Sequence, residues 1–125
     1  MKEDEYPHKE LTRQIIGAAM EVHSTLGFGF LESVYEEALA VEFRVQDIPF
    51  ERQKSLEVCY KGEKVKQFVC GFLVGGAVLV ELKAIKDLTG MEVAQVLNYL
   101  RATNMKLGLL VNFGASSLQY KRLIN

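Results

Sequence analysis

The sequence predicts an α/β domain in which helices cover a mixed sheet, and three observations carry that reading. Two amphipathic helical stretches open the chain, three extended runs then follow one another across short turns, and a capped helix separates the last of these from another apolar run. Three consecutive strands close as an antiparallel meander, while a strand-helix-strand unit adds a neighbour through a crossover. The expected order is ααβββαβ, with a further strand at the end.

After a polar arm expected over residues 1–9, Leu11, Ile15, Ala18 and Val22 fall at helical spacing until Gly27-Phe28-Gly29 breaks the run. Leu31, Val34, Tyr35, Ala38 and Leu39 repeat the pattern, and Ile48-Pro49 ends it. Leu56, Val58 and Tyr60 alternate with polar residues up to Lys61-Gly62, and a second extended run continues from Val65 to Val74. Gly75-Gly76 turns the chain into the third run, Val78-Leu79-Val80-Glu81-Leu82-Lys83-Ala84. Thr89-x-x-Glu92 is a capping box, opening a helix whose apolar stripe is Val93, Val96, Leu97 and Leu100. Leu107 to Phe113 reads as a buried strand, and Leu118 to Ile124 as a last strand with a helical turn as the alternative.

At 125 residues, 49% hydrophobic and 25% charged, residues 10–125 suit one domain with one core. A net charge of -1 excludes an overall basic character, so any nucleic-acid surface must be local. No stretch approaches the roughly 18 apolar residues of a membrane span. Met1-Lys2-Glu3-Asp4-Glu5 is too charged for a secretory signal, which leads to the expectation of a cytoplasmic protein. Cys59 and Cys70 lack metal-ligand spacing and are expected as reduced core residues.

Glu81 and Lys83 are the most informative pair. Two apart on a strand, they share a face. A carboxylate beside an ammonium can hold a divalent cation and steady a developing anion, the two needs of phosphodiester hydrolysis, although a strand emerging into water would carry the same residues. The hairpin register decides what faces them. A two-residue Gly75-Gly76 turn sets Cys70 opposite Glu81, whereas a three-residue loop of Gly75, Gly76 and Ala77 sets Gly71 there; the glycines favour the second. Gln95 and Tyr99 stack on one face of the third helix, and Glu32 opens the second helix directly behind the glycine joint. His23 lies near the end of the first helix, where a structural histidine is the ordinary case.

Gly29-x-x-Glu32-x-x-Tyr35, preceded by His23-Ser24-Thr25-Leu26-Gly27, resembles the GxxExxY family. Val80-Glu81-Leu82-Lys83-Ala84, Gln95-Val96-Leu97-Asn98-Tyr99-Leu100 and Leu107-Gly108-Leu109-Leu110-Val111-Asn112-Phe113-Gly114 extend the match from about Glu10 to the end. That family is similar to the PD-(D/E)XK nuclease superfamily in its RecB-like branch. The resemblance implies a restriction-endonuclease-like core and metal-dependent hydrolysis of DNA or RNA with Mg²⁺ or Mn²⁺. It also implies a set of roles. Glu81 is the metal-binding acid, Lys83 orients water or stabilises the pentacovalent charge, and Glu32 is an additional acid. Gln95 and Tyr99 place nucleic acid or water, the Leu82 backbone carbonyl is a further ligand, and His23 loosely matches a helical metal ligand. One departure stands out: relatives carry an aspartate ahead of Phe-Leu-Val, and Gly71 occupies that position here. Loss of a shared carboxylate can cost about a thousandfold in rate, so an impaired nuclease, an inactive nucleic-acid binder and a protein-interaction module all follow as readings. On duplex substrates a homodimer would supply a second active site.

Overall fold

A computed structural model describes residues 8–125. The elements are α1 (Lys9–Leu26), α2 (Glu32–Val45), β1 (Phe50–Tyr60), β2 (Glu63–Val74), β3 (Val78–Lys83), α3 (Gly90–Thr103), β4 (Leu107–Asn112) and β5 (Gln119–Ile124). They form a five-stranded sheet in the order β1-β2-β3-β4-β5, antiparallel throughout except for the parallel β3–β4 pair that α3 connects. The expected fold is therefore present, with the tail forming a strand. The expected arm falls almost wholly on residues 1–7, which lie outside the described residues; Lys9 already belongs to α1. Among the described residues no helix is long and apolar enough to cross a membrane.

The sheet carries a core on each face. Ile15, Ala18, Ala19 and Val22 of α1 and Tyr35, Leu39, Ala40 and Phe43 of α2 pack on Phe72, Val74, Val78, Val80, Leu107, Leu109 and Val111. Val96 and Leu100 of α3 pack on Leu79, Leu110, Cys70 and Leu123 across the sheet. β4 is buried at all six positions because both faces are covered, which is why its sequence reads as a continuous apolar run rather than an alternation. The capping box at Thr89 forms as the sequence requires, with Thr89 Oγ1 accepting from Met91 N–H and Glu92 Oε1 accepting from Thr89 N–H at 2.7 Å.

Three positions depart from the expected core. Leu31 is 77% exposed and Val34 37% exposed, because α2 begins only at Glu32 and buries the face defined by Tyr35, Leu39 and Phe43. Cys59 is exposed while Cys70 is buried: the far part of the β1–β2 hairpin runs beyond both helical layers, so its residues meet no core.

Asn112 closes the end of β4. It is fully buried, accepts at Oδ1 from Ile85 N–H (2.9 Å) and Gly114 N–H (3.1 Å), and donates from Nδ2 to Ile85 O (2.9 Å) and Gln119 Oε1 (3.0 Å). Gln119 in turn accepts from Leu88 N–H. The segment that leaves β3 is thereby fixed to the ends of β4 and β5.

Candidate active site

The site begins where two strands part. The β2–β3 ladder pairs Val74 with Val78, Leu73 with Leu79 and Phe72 with Val80, and there it stops, although both strands continue. This is the register of the three-residue loop, so Gly71 and Glu81 form the first open rung. On the other side of β2, Gln53 has φ 51° and drops out of the β1–β2 ladder between Arg52↔Phe72 and Lys54↔Cys70. The alternation of faces breaks at the same level: Phe72 and Val74 join the α1–α2 core, whereas Cys70 and Phe68 join the α3 side. A backbone irregularity next to an open rung is a feature that concentrates at functional sites.

The parted strands form the wall of a cleft of about 170 Å³ lined by Glu32 and Glu36 of α2, Gln53 of β1, Gly71 of β2, and Glu81 and Leu82 of β3, with Val69 and Cys70 beside them. Through this gap, acids from the helical layer and the strand see one another. Glu81 Oε1 is buried and has no hydrogen-bond partner. Burial pushes the Glu81 carboxyl up to about 7; the Gly71 N–H and the Lys83 ammonium pull it down, and repulsion from Glu32 and Glu36 adds to the rise. A polar oxygen left buried without a partner costs about 1–3 kcal/mol, so its retention points to a task that folding does not supply.

Lys83 lies two residues on, where its Nζ donates to Gln95 Oε1 at 3.2 Å. Gln95 is thus joined to the strand end through Lys83. Tyr99 instead stacks on Phe68, with centroids 3.9 Å apart, away from the cleft lining. His23 Nε2 lies 2.9 Å from the Ala115 carbonyl. A carbonyl only accepts, so Nε2 carries the proton of that bond, and His23 is not among the residues that line the cleft.

Tyr35 has a different place from its motif neighbour Glu32. It is fully buried, its Oη donates to Gly27 O at 2.6 Å and accepts from Phe30 N–H at 3.3 Å, and its ring stacks on Phe113 with centroids 4.8 Å apart. The glycine joint needs such a clasp because Gly27 (φ 73°) and Gly29 (φ 110°) occupy backbone regions that side chains rarely adopt. Gly29-x-x-Glu32-x-x-Tyr35 therefore joins a clasp to an acid that lines the cleft.

Two polar residues of the cleft were not singled out from the sequence, Glu36 and Gln53. Glu36 could have been found, since it lies four residues after Glu32 and hence on the same helix face. Its charge is largely answered: Arg52 donates to Glu36 Oε2 at 2.9 Å and to Glu37 Oε1 at 2.5 Å. The pairing holds Glu37 below the ordinary carboxylate range, chiefly through its hydrogen bond with Arg52, and pushes Arg52 up for the same reason. Gln53 enters the cleft only because of its positive φ, which no local spacing announces.

The donor set consists of hard carboxylate oxygens, which suits Mg²⁺ or Mn²⁺. Among the described residues no three His, Cys, Asp or Glu side chains stand close enough together to hold a metal. Yet burial, and after it the acidic neighbours Glu32 and Glu36, disfavours the charged form of the Glu81 carboxyl, whose buried oxygen has no partner, and a cation beside it would offset that. Such a set fits a weakly held cation.

A mixed sheet whose second and third strands part over an acid, with an acidic helix N-terminus across the gap, defines a restriction-endonuclease-like domain. A family model of the PD-(D/E)XK nuclease superfamily matches residues 9–123, and the chain belongs to that superfamily. No curated protein and no solved structure matches the chain.

Proposed function

We propose that the protein is a metal-dependent nuclease of the GxxExxY type, hydrolysing phosphodiester bonds in nucleic acid at a rate lowered by Gly71. The observation that carries this reading is the buried, partnerless Glu81 oxygen at the open rung of β2 and β3, with Lys83 beside it. Glu81 and Glu32 are the cation ligands in this proposal, and the Leu82 backbone carbonyl is a third. A divalent ion held by these groups would supply Lewis-acid polarisation of the scissile phosphate and acidify the attacking water. Lys83, held by Gln95, orients the attacking water and offsets the charge gathering on the phosphoryl oxygens. Tyr99 steadies the helix face that carries Gln95 by stacking on Phe68. His23 is kept outside the ligand set, since its Nε2 proton is engaged by Ala115 O.

Gly71 can be replaced. Its φ is not in the left-handed region, and a Cβ there would meet Leu82 Cδ1 at 3.4 Å and the backbone Val80 O at 3.1 Å, so a side chain fits if β3 yields by a few tenths of an ångström at Val80. Cleavage is therefore compared across wild type, Gly71→Asp and Glu81→Ala with Mg²⁺ and Mn²⁺ on single-stranded DNA, duplex DNA and RNA. Slow wild-type cleavage, an increase of about a hundred- to a thousandfold in Gly71→Asp and none in Glu81→Ala is the expected pattern. Absence of cleavage in all three proteins overturns the catalytic reading. Salt-sensitive binding without cleavage would then identify an inactive nucleic-acid binder, the second reading, which the exposed Lys86, Arg101 and Lys106 favour.

A further inference from the structure

The joint between α1 and α2 displays apolar side chains that lie outside both core clusters, although Phe30 meets the buried Tyr35 ring edge-on. Phe28 is 61% exposed, Phe30 48% and Leu31 77%, all within five residues. The joint is not slack: Tyr35 Oη binds the Gly27 carbonyl and the Phe30 N–H, so the segment bearing Phe28 is tied at both ends to one buried side chain. An aromatic ring held outward by a fixed backbone is preorganised for a flat apolar partner.

Phe28 also walls a cavity of about 350 Å³ with Lys86, Asp87, Gly114, Ala115 and Ser116. Lys86 is exposed and makes no ion pair among the described residues, and Ser116 is exposed beside it. The carboxylate in the lining, Asp87, accepts from Gln119 Nε2 at 3.2 Å. The walls of the cavity continue the segments of the proposed active site. Phe28 lies in the joint that delivers Glu32, and Lys86 lies in the stretch leaving Lys83, which Asn112 fixes at Ile85.

We infer that this cavity is a nucleotide subsite of the proposed nuclease, in which Phe28 stacks on an unpaired base and Lys86 contacts an adjacent phosphate, so that the preferred substrate is single-stranded nucleic acid. The inference rests on the nuclease reading for its choice of ligand. A phenylalanine face can stack only on a base whose own face is free, and in a duplex those faces are covered by neighbouring pairs. A lysine beside it supplies the sequence-independent phosphate contact.

The test is fluorescence anisotropy with a labelled 15-nucleotide oligothymidine and a labelled duplex of the same length, across a salt series. It uses wild type, Phe28→Ala, Phe28→Trp, Lys86→Ala and Glu81→Ala. Phe28→Ala should weaken single-strand binding about tenfold and leave duplex binding within twofold. Phe28→Trp should bind at least as well as wild type and, as the chain's sole tryptophan, should be quenched by the oligonucleotide. Lys86→Ala should lower the salt slope by about 0.7. Equal single-strand affinity in wild type and Phe28→Ala, equal losses on both substrates, or no binding by wild type each overturns the subsite. Glu81→Ala separates this proposal from the catalytic one. Cleavage that depends on Glu81 but not on Phe28 leaves the nuclease without this subsite, and Phe28-dependent binding without metal-dependent cleavage leaves the subsite without the chemistry.

Discussion

Two polar side chains, Asn112 wholly buried and Glu81 half-buried with one oxygen out of reach of solvent, lie on neighbouring strands of the same sheet, and they have opposite fates. Asn112 ends β4 with both amide atoms engaged and four bonds to Ile85, Gly114 and Gln119. Glu81, on β3, keeps one carboxylate oxygen buried with no partner at all. The first arrangement stabilises the fold and leaves nothing over for a ligand. The second destabilises it and keeps an acceptor in reserve. Burial of a polar group thus separates into two cases, and the census of its partners tells them apart.

Replacing Asn112 is the strongest way to break the contrast. Asn112→Ala should cost about 3–5 kcal/mol in urea unfolding, because Ile85 N–H, Ile85 O, Gly114 N–H and Gln119 Oε1 all lose a partner inside the protein. A cost under 1 kcal/mol would mean that the loop leaving β3 is held by other contacts.

Glu81→Gln should do the reverse. Burial pushes the folded carboxyl up to about 7 from its ordinary 4.5, so the folded state holds the proton more tightly than the unfolded one. The stability this proton contributes is complete below about pH 4.5 and is lost as pH rises through 7. Glu81→Gln should therefore gain about 2–3 kcal/mol over wild type at pH 8 and almost nothing at pH 4.5, read from unfolding curves at both pH values. A flat difference between them would remove the electrostatic account of Glu81. A gain at high pH agrees with the general observation that site residues are kept at the expense of stability.

Tyr35 sharpens the comparison within one motif. Tyr35→Phe keeps the ring stack on Phe113 and removes the bonds to Gly27 O and Phe30 N–H, so a loss of about 1–2 kcal/mol is expected with nucleic-acid cleavage reduced less than by Glu32→Ala. If Tyr35→Phe abolished cleavage while leaving stability intact, Tyr35 would belong with Glu81 and not with Asn112.

The fold was largely legible because each element announces itself locally. The capping box at Thr89, the glycine breaks at 27–29 and 75–76 and the apolar run of β4 each carry their own signal, and the parallel pair follows from the intervening helix. The hairpin register was legible too, through the preference of glycines for a three-residue loop, and it set Gly71 against Glu81. Long-range contact was less so. The Phe68 that takes up Tyr99 and the Ala115 carbonyl that takes up His23 lie far along the chain from their partners, and neither pairing follows from spacing on a helix. The cleft role of Gln53 depends on one unusual φ, and the exposure of Leu31 and Val34 on where α2 starts. Residues of one type at one spacing thus read alike until the opposite element is in place.

Gly71 carries a consequence in the genetic code. Every glycine codon becomes an aspartate or a glutamate codon by one change at its second base, and the backbone here is not left-handed, although an added Cβ would press on the Val80 carbonyl at 3.1 Å. The open rung opposite Glu81 therefore stands one transition mutation from carrying a second acid beside the Val80 carbonyl.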